Sequence, residues 1–336
     1  MTQTAQTRLP MRCPQATRLF EEIAQSVNVS AIRKGGGLHL PFGDSLITLA
    51  PQSGETAISL RADSPAALQV LRDFVAEQVE QRDLTLSWEQ AVAGQRPANF
   101  GLATLCSIRR LSPSYRRLTM EGPDLARFET GGHHLRLLFG PDGADWPVLD
   151  AQGVTQWPGG VSAWHRPVYT IRRITRGAGQ TARLELDVFL HDGGRTTGWT
   201  GRARPGTEIG LSGPGGSRGV QGDWLGLVGD ETALPVIARI LAEAPRGTRG
   251  QAVLFVPDQD DIQSLDKPQG VSVRWVIRGA IDGPLDALRA LNPPSERRFV
   301  FFAGERADAV EARSWLAAQG FAKAEFTAAA YWTKHG

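Results

Sequence analysis

The sequence predicts a multi-domain chain: a small α+β domain over residues 1–92, a six-stranded antiparallel β-barrel over 99–220, and a C-terminal α/β domain with a parallel sheet over 221–336. Three observations predict this division. At 336 residues the chain exceeds one ordinary domain of about 100 to 150 residues. Its middle third reads as short strands and glycine-rich turns with scarcely a helical stripe. Its last third alternates strand with helix.

In the first domain, Leu19, Phe20, Ile23, Ala24 and Val27 recur at three- and four-residue steps, which predicts an amphipathic helix from about Gln15 to Asn28. Alternating pieces at 30–33, 38–42, 45–49 and 56–61 follow, divided by Gly35-Gly36-Gly37, Gly43-Asp44 and Gln52-Ser53-Gly54, and predict a small antiparallel sheet. Ser64-Pro65 opens a second helix with a capping hydroxyl before proline, and Leu68, Leu71, Phe74, Val75 and Val79 form its buried stripe. A strand at 84–88 closes the domain, and Ala91 to Pro97 reads as a linker.

The barrel strands are expected at 101–109, 115–121, 134–139, 168–175, 182–190 and 207–211, since closure removes exposed edges. Pro141 to Trp164, rich in Gly, Pro and Trp, reads as a long loop at the barrel mouth. Strands at 224–229, 252–256, 271–277, 299–303 and 324–330, with helices at 234–244, 285–291 and 310–319, predict a parallel sheet covered on both faces. Ligands of such a sheet sit at the carboxyl ends of its strands.

Composition excludes several functions. Apolar residues make 41% of the chain and charged residues 21%, which suits packed cores and not disorder. A net charge of +2 lacks the basic excess of a nucleic-acid binder. Cys13 and Cys106 stand far apart, so no iron-sulfur cluster or Cys-based zinc site can be built. No leader-like apolar segment follows the first charges and no run of 18 apolar residues occurs; a cytoplasmic protein without membrane insertion is expected.

Three constellations could carry chemistry. In His165-Arg166-Pro167-Val168-Tyr169-Thr170-Ile171-Arg172, an aromatic ring, a hydroxyl and guanidiniums share one strand, a set that can stack on a flat ring and clamp a pyrophosphate. Taken alone, an ordinary barrel strand with Arg outside and Tyr in the core is the better reading. His191-Asp192-Gly193-Gly194-Arg195-Thr196-Thr197-Gly198-Trp199 is either a phosphate nest ahead of a helical turn or a hairpin loop. Gly229-Asp230-Glu231-Thr232-Ala233-Leu234-Pro235 runs from strand to helix where a dinucleotide would bind, but it is not GxGxxG, and an acidic helix cap is the alternative.

Together with Phe302-Ala303-Gly304-Glu305 and the terminal Tyr331-Trp332, these features resemble the siderophore-interacting proteins, or ferric siderophore reductases, of the ferredoxin reductase superfamily. The resemblance runs from about residue 99 to the end. It implies a barrel that holds FAD noncovalently and an NAD(P)H domain, with NADH or NADPH as donor and a ferric siderophore as acceptor. Tyr169 and Thr170 would meet the isoalloxazine, and the turn with His191, Gly194, Thr196, Thr197 and Trp199 would cradle phosphates. Arg166 stands one residue before the family's phosphate-clamping position, which is Pro167 here; Arg172 is the alternative clamp. Gly229, Asp230, Glu231 and Thr232 would meet the nicotinamide nucleotide, and Arg136, Arg202 and Lys334 would attract the anionic siderophore. The flavin carries the chemistry, so no catalytic side chain and no resident metal is assigned. A monomer is expected, with ferredoxin as an alternative donor. A general NAD(P)H:flavin or ferredoxin-linked electron-transfer flavoprotein and a non-catalytic siderophore-binding protein are the rival readings.

Overall fold

The computed structural model of the chain describes residues 2–27, 29–88, 93–216, 222–279 and 283–334. Two compact units emerge: Met1–Leu102 with Leu135–Val168 and Ile209–Ser217, and Ala103–His134 with Tyr169–Glu208 and Arg218–Gly336.

The first unit begins with β1 (Gln3–Leu9), α1 (Cys13–Ser26), β2 (Ile32–Lys34), β3 (Gly37–Phe42), β4 (Ser45–Gln52), β5 (Glu55–Ala62), α2 (Pro65–Glu80) and β6 (Ser87–Trp88). The strands form one sheet in the order β2-β3-β4-β5-β1-β6. Strand β1 pairs antiparallel with both β5 and β6, and sequence reading missed it. Its inward positions are Ala5, Thr7 and Leu9, too weakly apolar to announce a strand. Ser64 caps α2 by accepting from the Ala67 amide at 3.2 Å. Helices and sheet enclose a core that includes Leu9, Phe20, Ile23, Leu38, Leu40, Ile47, Ile58, Leu60 and Val75.

Of the expected linker, residues 91 and 92 lie outside the described residues. The remainder is tied to the 141–164 insertion. Leu149, in the hairpin of β10 (Val148–Leu149) and β11 (Thr155–Gln156), exchanges backbone hydrogen bonds with Gly94 and Gln95.

The middle of the chain supplies β7 (Phe100–Ser112), β8 (Tyr115–Gly122), β9 (His134–Leu138), β12 (Val168–Thr170), β13 (Arg173–Arg176), β14 (Ala182–Phe189), α3 (Arg195–Arg202) and β15 (Glu208–Gly215). The sheet has seven strands, in the order β12-β9-β15-β7-β8-β14-β13, and not the expected six. The expected strand at 168–175 is two. Successive amides there serve different neighbours, Ile171 donating to His133 O and Arg172 to Glu185 O, each at 2.8 Å. The outermost strands of the order, β12 and β13, are thus consecutive in the chain, and this link closes the sheet into a barrel.

The C-terminal sheet contains β16 (Trp224–Gly229), β17 (Arg249–Val256), β18 (Gly270–Ile277), β19 (Arg298–Glu305) and β20 (Phe326–Trp332), all parallel, in the order β18-β17-β16-β19-β20. Helix α4 (Leu234–Glu243) covers one face through Leu234, Ile237 and Leu241. The other face is covered by α5 (Pro284–Arg289) and α6 (Arg306–Ala318) through Leu288, Ala309, Ala312 and Leu316. The central strands β16 and β19 are buried along nearly their whole length, as parallel strands covered on both faces are. No helix among the described residues is long and apolar enough to cross a membrane.

Candidate functional site

In the second unit the turn after β14 leads into α3, an eight-residue helix capped by Gly194 where sequence reading allowed a turn or a hairpin loop. Gly193 takes φ +73°, a left-handed conformation suited to glycine. A Cβ on Gly194 would stand 2.8 Å from both the His191 ring and Thr197 Oγ1. The His191 amide donates to Thr197 Oγ1 at 3.2 Å and so fixes the entry to the helix. First-turn amides of a helix have no intrahelical acceptor, and with the helix dipole they form an anion site.

This helix is tied to β12. Tyr169 is hydrogen-bonded through its hydroxyl to Thr196, and burial raises its pKa while that hydrogen bond lowers it. Thr170 is buried beside it in the chain. Next comes Arg172, whose Nε is buried without a hydrogen-bond partner among the described residues and lies 3.8 Å from Asp187 Oδ2. Asp187 is already engaged by Arg117 Nε and Nη2 at 2.6 and 2.8 Å. Burial lowers the Arg172 pKa, with Asp187 acting in the opposite sense. An orphaned buried donor and the open amides of α3 fit a pyrophosphate, and the Tyr169 ring fits a planar ring system. The residues present therefore fit FAD. Trp199 is half-buried on α3, and Arg202 is exposed in its last turn.

A second candidate lies at the carboxyl edge of the parallel sheet. A cavity of about 550 Å³ is lined by Asp230, Arg278, Glu305, Asp308, Trp332 and Lys334, among others. Gly229 ends β16 against α4; a Cβ there would stand 2.5 Å from the Ala233 Cβ and 2.8 Å from Ile237 Cδ1. Asp230 is buried, and its Oδ1 accepts from the Thr232 amide and hydroxyl at 2.9 and 2.6 Å. The Glu231 carbonyl accepts from the Tyr115 hydroxyl at 2.7 Å, and its carboxylate pairs with Arg278, whose guanidinium also lies 5.9 Å from the Trp332 ring centroid. The acidic pair Asp230 and Glu231 is thus largely spent on protein contacts. Sequence reading missed Arg278 and Asp308, which carry no motif: Arg278 follows the end of β18, and Asp308 stands in the first turn of α6. Burial raises the Asp308 pKa, and Glu305 adds to the rise.

Of the three expected siderophore contacts, Arg202 and Lys334 lie in the second unit and Arg136 in the first. Lys334 lines the sheet-edge cavity, its amide donating to Glu305 Oε1 at 3.1 Å. Arg202 is not among that lining. Arg136, in the first unit, is exposed and donates from Nη1 to the Arg166 carbonyl at 2.9 Å. Arg166 itself lies over the Trp157 ring, 4.8 Å from its centroid.

An antiparallel barrel is followed along the chain by a five-stranded parallel sheet covered by helices on both faces. Residues 104–218 match the family model of the siderophore-interacting FAD-binding domain, and residues 222–335 match that of the siderophore-interacting protein. The chain belongs to the siderophore-interacting protein family.

It is 29% identical over 243 residues to the ferric vibriobactin reductase ViuB of Vibrio cholerae, which spans 67% of this chain and 86% of that one. It is 27% identical over 246 residues to the NADPH-dependent ferric-chelate reductase of Escherichia coli, at 68% and 91% coverage. It is also 30% identical over 225 residues to an uncharacterized protein of Mycobacterium bovis, at 63% and 74%. Among solved structures, a siderophore utilization protein from T. fusca superposes with a TM-score of 0.62 at 27% identity, covering 72% of this chain and 96% of that one. Residues before 104 lie outside both family models.

Proposed function

We propose that this chain is an FAD-dependent ferric siderophore reductase that carries electrons from NADH or NADPH to Fe(III) held by a siderophore. The relatives named as ferric vibriobactin reductase and NADPH-dependent ferric-chelate reductase support the reaction. Bound FAD supplies the conversion of a two-electron donor to one-electron chemistry. Iron is substrate. Hard oxygen chelators hold Fe(II) far less tightly than Fe(III), so reduction is also release.

The observation that carries this reading is the orphaned Nε of Arg172 in the same unit as the open first turn of α3. In this reading Tyr169 and Thr170 face the planar ring of the cofactor, and His191, Gly194, Thr196, Thr197 and Trp199 shape its phosphate cradle with Arg172. The nicotinamide nucleotide takes the sheet-edge cavity. Gly229 lets α4 close on β16, Asp230, Glu231 and Thr232 hold the loop, and Arg278 and Lys334 offer it positive charge. Arg136 and Arg202 attract the anionic chelate. Arg166, seated on Trp157, is assigned to the chelate and not to a phosphate. Segments 1–92, 99–220 and 221–336 act as accessory, flavin and nicotinamide domains of a cytoplasmic monomer, and ferredoxin is an alternative donor.

Purified protein is expected to show two flavin absorbance bands that bleach anaerobically with NADH or NADPH. They recover when a ferric catecholate or hydroxamate is added, as an Fe(II) trap develops colour. Bleaching without response to ferric chelates would identify a general electron-transfer flavoprotein instead. Protein that stays colourless with added FAD would leave siderophore binding as the account.

A further inference from the structure

Residues 1–102 lie outside both family models, yet they are built into the first unit with residues 135–168. The connection is specific. Asp73 of α2 accepts on Oδ1 from the Thr155 amide at 3.0 Å and from Gln69 Nε2 at 2.8 Å, and on Oδ2 from the Thr155 hydroxyl at 2.7 Å. Gln69 Nε2 donates again to the Gly153 carbonyl at 3.0 Å, and the Trp88 amide donates to Gln152 Oε1 at 3.3 Å. Between these polar ties Val154 packs against the apolar core of the N-terminal sheet and helices. Arg96 reaches the Trp146 and Pro147 carbonyls at 2.6 and 3.1 Å.

The held hairpin has its own internal order. Asp150 accepts from the Gln152 and Val154 amides at 2.8 and 2.9 Å and from Gln156 Nε2 at 2.9 Å. Trp157 follows β11 directly. Its ring carries the Arg166 guanidinium, and the Arg166 carbonyl holds Arg136. Neither arginine has a carboxylate in hydrogen-bonded contact among the described residues. Burial lowers the Arg166 pKa, Arg136 lowers it further, and Glu77 and Asp73 of α2 act against both. A guanidinium on an indole face, with a second arginine held at its carbonyl and no carboxylate hydrogen-bonded to either among the described residues, fits a polyanion that carries aromatic rings.

We propose that residues 2–88 brace the substrate loop: Asp73, Gln69 and Thr155 are positioning residues that fix Trp157 and Arg166, and these with Arg136 recognise a ferric catecholate-type chelate. The inference rests on the reductase reading for the identity of the chelate. Removing the Thr155 hydroxyl or the Asp73 carboxylate frees the hairpin tip, and the two guanidiniums lose their fixed spacing.

The test uses the full chain with Thr155→Val, which keeps the backbone bond and the side-chain volume, and Asp73→Ala. Binding of a redox-inert gallium(III) tris-catecholate is followed by tryptophan quenching, and exchange protection is read over residues 148–157. Both variants are expected to lose protection there and to bind the tris-catecholate about tenfold more weakly, the size of effect set by one hydrogen bond to a charged group. A neutral gallium(III) tris-hydroxamate binds them as it binds wild type, and the rate of flavin bleaching by NAD(P)H is unchanged. Tris-catecholate affinity equal to wild type in both variants overturns the brace while leaving the reductase reading intact. Wild-type protein that binds the gallium complex but reduces no ferric chelate overturns the reductase reading while the brace stands.

Discussion

Trp332 Nε1 donates to Asp230 Oδ2 at 2.6 Å, joining the last strand of the parallel sheet to the loop after its first. Since Thr232 occupies Oδ1, the indole is the partner that satisfies the other oxygen of a buried carboxylate. Trp332→Phe keeps an aromatic ring and removes the donor. A loss of about 1–3 kcal/mol is expected, the cost of a buried acceptor left unpaired. A thermal melt several degrees below wild type checks it.

Thr196→Val breaks the hydroxyl link to Tyr169, and Arg172→Gln removes the buried guanidinium charge. Each is expected to weaken FAD retention by roughly tenfold, as loss of a hydrogen bond to a charged or buried group does. Flavin absorbance per mole of protein after gel filtration measures this. The Arg172 variant should show the smaller dependence of retention on salt.

Gly229→Ala places a methyl 2.5 Å from the Ala233 Cβ. Helix α4 must shift from β16, at a cost of about 1–3 kcal/mol for overpacking a tight contact. The KM for NADH or NADPH is expected to rise while FAD content stays at wild-type level, which steady-state kinetics and absorbance separate.

Burial holds the His134 ring neutral, lowering its pKa from 6.5 to about 4, with His133 and Arg239 pushing the same way. The ring is 2.9 Å from the Tyr331 hydroxyl. The unfolded chain takes up a proton below 6.5 that the folded ring resists. The contribution is therefore fully present above 6.5 and is lost as pH falls from there through about 4. That interval corresponds to on the order of 3 kcal/mol. Urea midpoints measured between these two pH values should fall for wild type, and fall less for His134→Gln.

Much of this protein was determined by its sequence alone. The helices at 13–26 and 65–80 follow from apolar steps near 3.6 that local chain geometry enforces, and the central strands after 223 from short continuous apolar runs. Gly229 stands where a Cβ would meet the Ala233 Cβ at 2.5 Å, so its residue type is legible in the local strand-to-helix motif.

Tertiary structure decided the rest. Strand β1 pairs with residues some fifty positions away, and its polar alternation acquires meaning only beside β5. Whether 168–175 was one strand or two depended on which neighbour each amide met. Arg166 belongs to Trp157 because a loop folds back, and Arg278, which follows the end of β18, lines the sheet-edge cavity. Local pattern fixes the torsion preferences of a segment, but partners distant in the chain are chosen by packing, and side-chain roles that depend on such partners appear only once the fold has brought them together.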